Sequence, residues 1–302
     1  MNSFRTNYGF VLKNIKKNKK LMQSQKNIEG KTFVIAGGTR GIGFSIAEHL
    51  LKRGANVAIL GKTKDPHPKL ENTIDSAVNK LSLKSLTGKV HGEICDVRDF
   101  NSITDSKDKI FKKFGAIDGV VINASALCLN STLRQSQKEI DLMTGVNIKG
   151  SFNVGQVYID TIQKTSTHPH VLMISPPLEM LHNEDWWIHH FYYSMSKFNM
   201  SMMAKFWNEE FPEIGINTLW PRTTIDTAPV RNLLGGQSMV NISRTPDIMG
   251  TAASIILGSC PKTIHGNNFI DDEVCISADI PVEQFRVDEK IDEKSLMPDF
   301  FC

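Results

Sequence analysis

No uninterrupted apolar stretch in the sequence reaches the roughly 18–20 residues that a membrane-spanning helix needs, so a helical span is excluded. Cysteine is scarce. Cys95, Cys128, Cys260, Cys275 and Cys302 are odd in number, widely scattered, and contain no Cys-x-x-Cys pair. A disulfide framework and a zinc site are thereby disfavoured, and a reducing compartment is the default. Internal repeats and low-complexity tracts are also lacking. With 40% hydrophobic and 22% charged residues the composition is that of a globular protein, and 302 residues suffice for one or two domains.

Acid is missing from the beginning of the chain. Seven basic residues (Arg5, Lys13, Lys16, Lys17, Lys19, Lys20 and Lys26) precede Glu29, the first acidic one. Removing those seven from 35 leaves 28 basic residues against 32 acidic, so the body is mildly acidic and the arm strongly basic. Phe4, Phe10, Val11, Leu12, Ile15, Leu21 and Met22 are interspersed among the cations, as in an organelle transit peptide. Lys and Asn nevertheless dominate where such peptides favour Arg and Ser. Residues 1–28 are expected to form a basic arm: a mitochondrial transit peptide, a solvated tail, or an extension docking on an acidic partner. Peroxisomal and cytoplasmic locations are the alternatives. No nucleic-acid motif is present. His182, His189 and His190 lack a carboxylate or Cys at ligand spacing, so no metal is expected.

From Lys31 the pattern is strand, glycine turn, helix. Thr32–Ala36 is a short β-branched apolar run suited to a strand buried on both faces. Gly37 to Gly43 form a turn, and Phe44–Lys52 reads as an amphipathic helix closed by Gly54. Further strands are expected at 56–60, 90–95, 119–122, 170–174, 215–219 and 268–270. Helices separate them at 74–84, 102–114, 138–146, 152–164, 194–211 and 246–257. This alternation predicts an α/β fold with a parallel sheet of about seven strands flanked by helices. From Asp271 onward the chain is expected to be irregular and to wrap the surface, with 281–302 an acidic tail.

Gly37, Gly41 and Gly43 let the backbone turn sharply and approach a pyrophosphate without Cβ interference. The helix that follows aims free N–H groups at the anion. Such a turn is also compatible with a tight connection and nothing more; its place after the first strand favours a dinucleotide. An NAD site usually carries a carboxylate about 20 residues beyond the glycines. Here the second strand ends Leu60-Gly61-Lys62-Thr63, and no acid appears before Asp65. Arg40 and Lys62 suit a 2′-phosphate, so NADP is expected, with NAD the alternative.

Tyr193-Ser-Met-Ser-Lys197 puts a phenol and an ammonium on one helical face, one turn apart. A phenol of pKa about 10 is a poor acid–base group at neutral pH, and a neighbouring ammonium is expected to lower that value. Tyr192 has Ser196 four residues on and lacks the cation. As a bare pattern Tyr-x-x-x-Lys is common; its place in this alternating chain gives it weight.

Taken in order, the glycine turn, Asp96, Asn123-Ala124, Asn147, Ser175, Tyr193/Lys197, Pro221 and Thr227 resemble the short-chain dehydrogenase/reductase family. The resemblance implies a single doubly wound Rossmann-type domain over residues 29–280. It makes Tyr193 the acid/base, Lys197 the group that holds the nicotinamide ribose, Ser175 the orienter of the substrate oxygen, and Asn147 a support for a water-linked proton path. Gly37, Thr39, Arg40, Gly41, Ile42 and Gly43 form the phosphate cradle. Asp96 and Val97 lie by the adenine, and Asn123 and Ala124 floor the cofactor. Pro221, Thr223, Ile225 and Thr227 reach towards the carboxamide and phosphates.

Departures from the family pattern are Ala36 in place of Thr, Arg222 in place of Gly, and Pro176-Pro177 after Ser175 with a long gap to Tyr193. Lys62–Leu70, Ile174–Pro177, Leu219–Thr223 and Pro298–Phe301 resemble a subgroup of the family that carries a sterol-carrier domain after the reductase domain. Trp186, Trp187, Phe191 and Trp220 suit an apolar, lipid-like carbonyl substrate, or else core packing. Ala228–Thr245 lies where the family keeps a mobile lid. The Tyr193 helix, rich in Met, is the one through which family members assemble into oligomers. Two functions are expected to compete. One is an NADP(H)-dependent oxidoreductase acting on a carbonyl or secondary alcohol. The other is a structural subunit recruited into a larger assembly through the basic arm.

Overall fold

Residues 25–66, 72–182 and 190–300 are described by a computed structural model of the chain. Strand β1 (Thr32–Ala36) is buried along its whole length, as its unbroken apolar sequence requires of a strand covered on both faces. Helix α1 (Gly41–Lys52) follows, then β2 (Asn56–Gly61), α2 (Ile74–Ser82), β3 (Val90–Ile94) and α3 (Phe100–Phe114). After β4 (Gly119–Ile122) come α4 (Gln137–Met143), a wider π-helical stretch at Thr144–Gly150, and α5 (Ser151–Thr165). The remaining elements are β5 (His170–Ile174), α6 (Phe191–Glu210), β6 (Gly215–Trp220), α7 (Ala228–Leu233), α8 (Gly236–Asn241), α9 (Asp247–Leu257), β7 (Asn268–Ile270) and α10 (Asp271–Ser277).

All seven strands are parallel, in the order β3-β2-β1-β4-β5-β6-β7. The chain builds outward from β1 to β3, then crosses to β4 and builds the other way. The crevice beyond the ends of β1 and β4 is therefore the switch point where this architecture receives ligands. Two apolar clusters lie on the two faces of the sheet. Phe33 and Ile35 point to one with α1 and α9, Val34 and Ala36 to the other with α3 and α5. Each fully buried side chain of this kind contributes about 1.5–3 kcal/mol.

Helices begin and end where local chemistry dictates. The Thr73 and Ser136 side chains cap α2 and α4 by accepting from Ser76 N and Glu139 N, with the reciprocal bonds present. Gly115 closes α3 in the left-handed conformation.

Two expectations need correction. The stretch from Asp271 is not irregular throughout: Asp271, Asp272 and Glu273 form the first turn of α10, where acidic groups complement the helix dipole. Nor does 281–300 merely cover the surface. It pairs with the loops after β6 and α8 through Thr224 N to Met297 O, Met297 N to Ile242 O and Asp299 N to Arg222 O.

The first 24 residues of the basic arm lie outside the described residues. Gln25 pairs with Ser259, and Ile28 is part of the core. Among the described residues no helix is long and apolar enough to cross a membrane.

Candidate active site

The crevice at the switch point is a cleft of about 530 Å³. Its first wall is the turn after β1. Gly37 and Gly38 N–H both donate to Leu60 O, and Asn123 Nδ2 donates to Gly37 O at 2.8 Å. These bonds brace the turn without the hydroxyl that Ala36 lacks. Gly37 has φ +86°, and a Cβ there would stand 2.9 Å from the Ala124 backbone. A Cβ on Gly43 would stand 2.1 Å from Gly37 O. The backbone is bare where a bulky anion must approach, and the N-terminus of α1 faces the same space. That cradle fits a dinucleotide.

All the residues expected around the cofactor line the cleft except Gly43 and Thr223. Gly43 supports the turn from behind. Thr223 is buried and pairs with Pro298 instead. At the β2 end stand Arg40, whose guanidinium donates to Thr63 Oγ1 at 3.1 Å, and Lys62. Asp96 also lines the cleft, but its carboxylate is held by Arg98 at 2.5–3.1 Å. The Arg98 hydrogen bonds keep its carboxyl below the usual range, against burial, and Lys62 contributes from farther away.

Tyr193 and Lys197 enter the cleft from α6. Several polar ties hold this helix in place. Lys197 Nζ donates to Ile174 O at 2.6 Å, Ser201 Oγ to Pro176 O at 2.5 Å, and Asn147 Nδ2 to Ser196 Oγ at 2.9 Å. Tyr192, set aside in favour of Tyr193, bonds Thr144 Oγ1 at 2.6 Å. The Lys197 ammonium also lies 5.2 Å from the Trp220 ring centroid. It is 2% exposed, and burial lowers its pKa to about 7, opposed by the negative charge of Asp299.

Tyr193 behaves differently from the expectation of a lowered pKa. Burial pushes the phenol up, and the charge of Asp299 pushes it further. The loss of water thus outweighs the ammonium one helical turn along.

Asn147 lies in the π-helical stretch, fully buried. Besides Ser196 it donates to Ala126 O, and its Oδ1 accepts from Ala126 N at 2.7 Å and from Ser125 Oγ at 3.1 Å. It pins the chain leaving β4 to α6, and it does not line the cleft. Helical widening of this kind often accompanies functional sites.

Ser175 is the clearest correction. It is fully buried, its Oγ has no hydrogen-bond partner among the described residues, and it is absent from the cleft wall, which Ile174 lines instead.

Trp220, Pro221 and Ile225 line the cleft, as do Ala228, Val230 and Leu234 around α7. Trp186, Trp187 and His189 lie outside the described residues. Phe191 is exposed at the start of α6. Among the cleft residues that had no assigned role in the sequence are Asp299 and Phe300. The Phe300 ring stands edge-on to Tyr193, with centroids 6.2 Å apart. The signal was the Pro298-Asp-Phe-Phe301 run, which alternation and spacing alone could not connect to the cleft.

A nucleotide cradle at the switch point, with a buried Tyr and Lys one helical turn apart across from it, defines an oxidoreductase-type site on a Rossmann-type fold. The family model for short chain dehydrogenase matches residues 31–232, and the chain belongs to the short-chain dehydrogenase/reductase family, whose members are NAD(P)-dependent oxidoreductases.

Within the family it is similar to hydroxysteroid dehydrogenase-like protein 2 of Xenopus tropicalis and of human. Each is 39% identical over 282 residues, which are 93% of this chain and 66% and 65% of theirs. The chain thus spans just under two thirds of the length of these relatives. A solved chain from Xanthomonas campestris, 36% identical, superposes with a TM-score of 0.84 over 91% of this chain and 99% of its own. A short chain dehydrogenase from Mycobacterium thermoresistibile, 34% identical, gives 0.82 over 91% and 95%.

Proposed function

We propose that this protein is an NADP(H)-dependent oxidoreductase that reduces apolar carbonyl compounds, with Tyr193 the proton donor to the carbonyl oxygen. The observation that carries this reading is the meeting of the Tyr193 phenol and the dinucleotide cradle in one cleft. Residues 37–42, Asn123, Ala124, Lys197 and Thr227 would hold the dinucleotide. When bound it supplies the hydride.

The protein's own part is proton handling and orientation. A phenol kept protonated by burial holds the proton that a developing alkoxide takes, and the same burial makes it a weaker acid than a free phenol. Lys197, tied to Ile174 O, fixes the helix that aims the phenol and places a titratable ammonium beside it. Leu127, Leu142, Val146, Val230 and Phe300 make the neighbouring wall apolar, which suits a hydrocarbon-bearing substrate. Arg40 and Lys62 support a 2′-phosphate at the opposite end of the cleft.

The test is a titration with NADPH and NADH, followed by turnover on a medium-chain methyl ketone, cyclohexanone and benzaldehyde. Tyr193→Phe serves as the control. Turnover lost in the control with NADPH affinity retained supports the reading. Tight NADPH binding without turnover on any carbonyl would favour a structural role instead.

A further inference from the structure

One polar group of the cleft has no part in the cradle or in the Tyr193/Lys197 pair. Asp299 reaches the cleft from the segment after α10, and its backbone is fixed there. Thr223 pairs antiparallel with Pro298, and Asp299 N donates to Arg222 O at 3.0 Å. Asp299 lines the same cleft as Tyr193 and Lys197, and its charge acts on both. Among the described residues its buried Oδ1 makes no hydrogen bond of good geometry, although the Phe300 amide and the Trp220 indole act on the carboxyl. Leaving such an atom unpaired costs stability, so an unsatisfied acceptor in a cleft wall calls for a role. Ser175, expected to orient the substrate oxygen, is fully buried and absent from the cleft wall, and the Pro176 and Pro177 that follow have no backbone N–H to offer in its place.

We propose that Asp299 is a catalytic residue whose carboxyl, beside the Tyr193 phenol, is the second hydrogen-bonding group for the oxygen of the carbonyl substrate. The inference rests on the function proposed above. As a carboxylic acid Asp299 donates to the carbonyl oxygen and keeps its own proton, so the one proton gained by that oxygen still comes from Tyr193.

The surroundings allow this protonated form. Burial raises the Asp299 carboxyl to about 7, and Asp271 of α10 adds to the effect; the Phe300 amide, the Trp220 indole and Lys197 oppose it. Among the described residues, Tyr193 on α6, His190 against the Phe300 ring, and Arg222 after β6, whose guanidinium is bound by Asp272 and Glu273 at 2.7 Å, also lie near this segment.

Asp299→Ala, Asp299→Asn and Tyr193→Phe separate the two readings. With the methyl ketone, Asp299→Ala is expected to lower kcat/KM about 10²-fold, the scale of losing one oxyanion donor, with the NADPH Kd little changed. Asp299→Asn, which keeps an N–H donor, recovers to within about tenfold. It should also abolish the decline expected of wild type above pH about 7.

A second readout needs no turnover. The carboxyl carbon resonance of Asp299 should titrate near 7 in the free protein, and its midpoint should rise when the ketone is added to NADPH-saturated Tyr193→Phe. The resonance and Asp299→Asn still decide the matter if Asp299→Ala does not fold. Wild-type turnover in Asp299→Ala, or a resonance with an ordinary aspartate midpoint that none of the three carbonyls moves, overturns the proposal. Full activity in Tyr193→Phe sinks the proposed function and leaves the resonance to answer for Asp299.

Discussion

The ammonium of Lys197 donates to the carbonyl of Ile174 at 2.6 Å, so the last residue of β5 holds the helix that carries Tyr193. That tie keeps a cation where burial disfavours it. A base whose folded pKa is lowered from 10.5 to about 7 reduces stability as pH falls through that interval. Above the interval both states are neutral. Within it the unfolded chain takes the proton first, and the penalty is complete below about 7.

Lys197→Met should therefore gain thermal stability relative to wild type as pH is lowered from 10 towards 7, the window set by those two values. The same variant should lose turnover. Melting temperatures of the cofactor-free pair across that range check the prediction, and a difference independent of pH would sink it.

The cradle makes a graded prediction. A Cβ at position 43 meets Gly37 O at 2.1 Å, backbone that cannot yield without opening the turn. At position 41 the nearest atom is the Thr227 methyl at 3.1 Å, and φ is +51°. Overpacking costs about 1–3 kcal/mol. Gly43→Ala should accordingly weaken NADPH about 10²-fold and Gly41→Ala no more than about tenfold, measured by fluorescence titration. Equal losses would mean the turn is softer than its hydrogen bonds imply.

The proposed preference for NADP(H) rests on the end of β2. Arg40 and Lys62 are the cations that line the cleft there, and Arg40 is oriented by Thr63. Replacing both by Gln should weaken NADPH about tenfold or more while changing NADH by less than about threefold, since each charge-assisted bond contributes about 1.5–3 kcal/mol. The ratio of the two dissociation constants is the measurement, and parallel losses would remove the basis for preferring NADP.

The sheet was legible in the sequence because most of its strands are short apolar runs separated by helical periodicity. Strands 32–36, 119–122, 170–174 and 268–270 have the expected bounds. The glycine turn and the Tyr193/Lys197 spacing were equally plain, because each is local: the residues that act together are neighbours in the chain. Asp299 was not legible. It meets Tyr193 only through tertiary pairing of Pro298 with Thr223, a contact 75 residues apart in sequence that no period or spacing encodes. The raised Tyr193 pKa was missed for a related reason, since a motif shows which charge is near and not how much water has been removed.

Ser175 supplies the sharpest separation between family pattern and this molecule. A buried hydroxyl with no partner forfeits its hydration and gains nothing in return, so removing it should be neutral or slightly stabilising. The neighbouring Ile174 O keeps its bond from Lys197, and Pro176 O keeps its bond from Ser201, because both are backbone acceptors untouched by the change. Ser175→Ala should thus leave the site framework intact, with kcat/KM on the methyl ketone within about threefold of wild type and a melting temperature equal or higher. If turnover instead falls about 10²-fold at unchanged NADPH affinity, the hydroxyl reaches the substrate after all, and the strand end must rotate to present it.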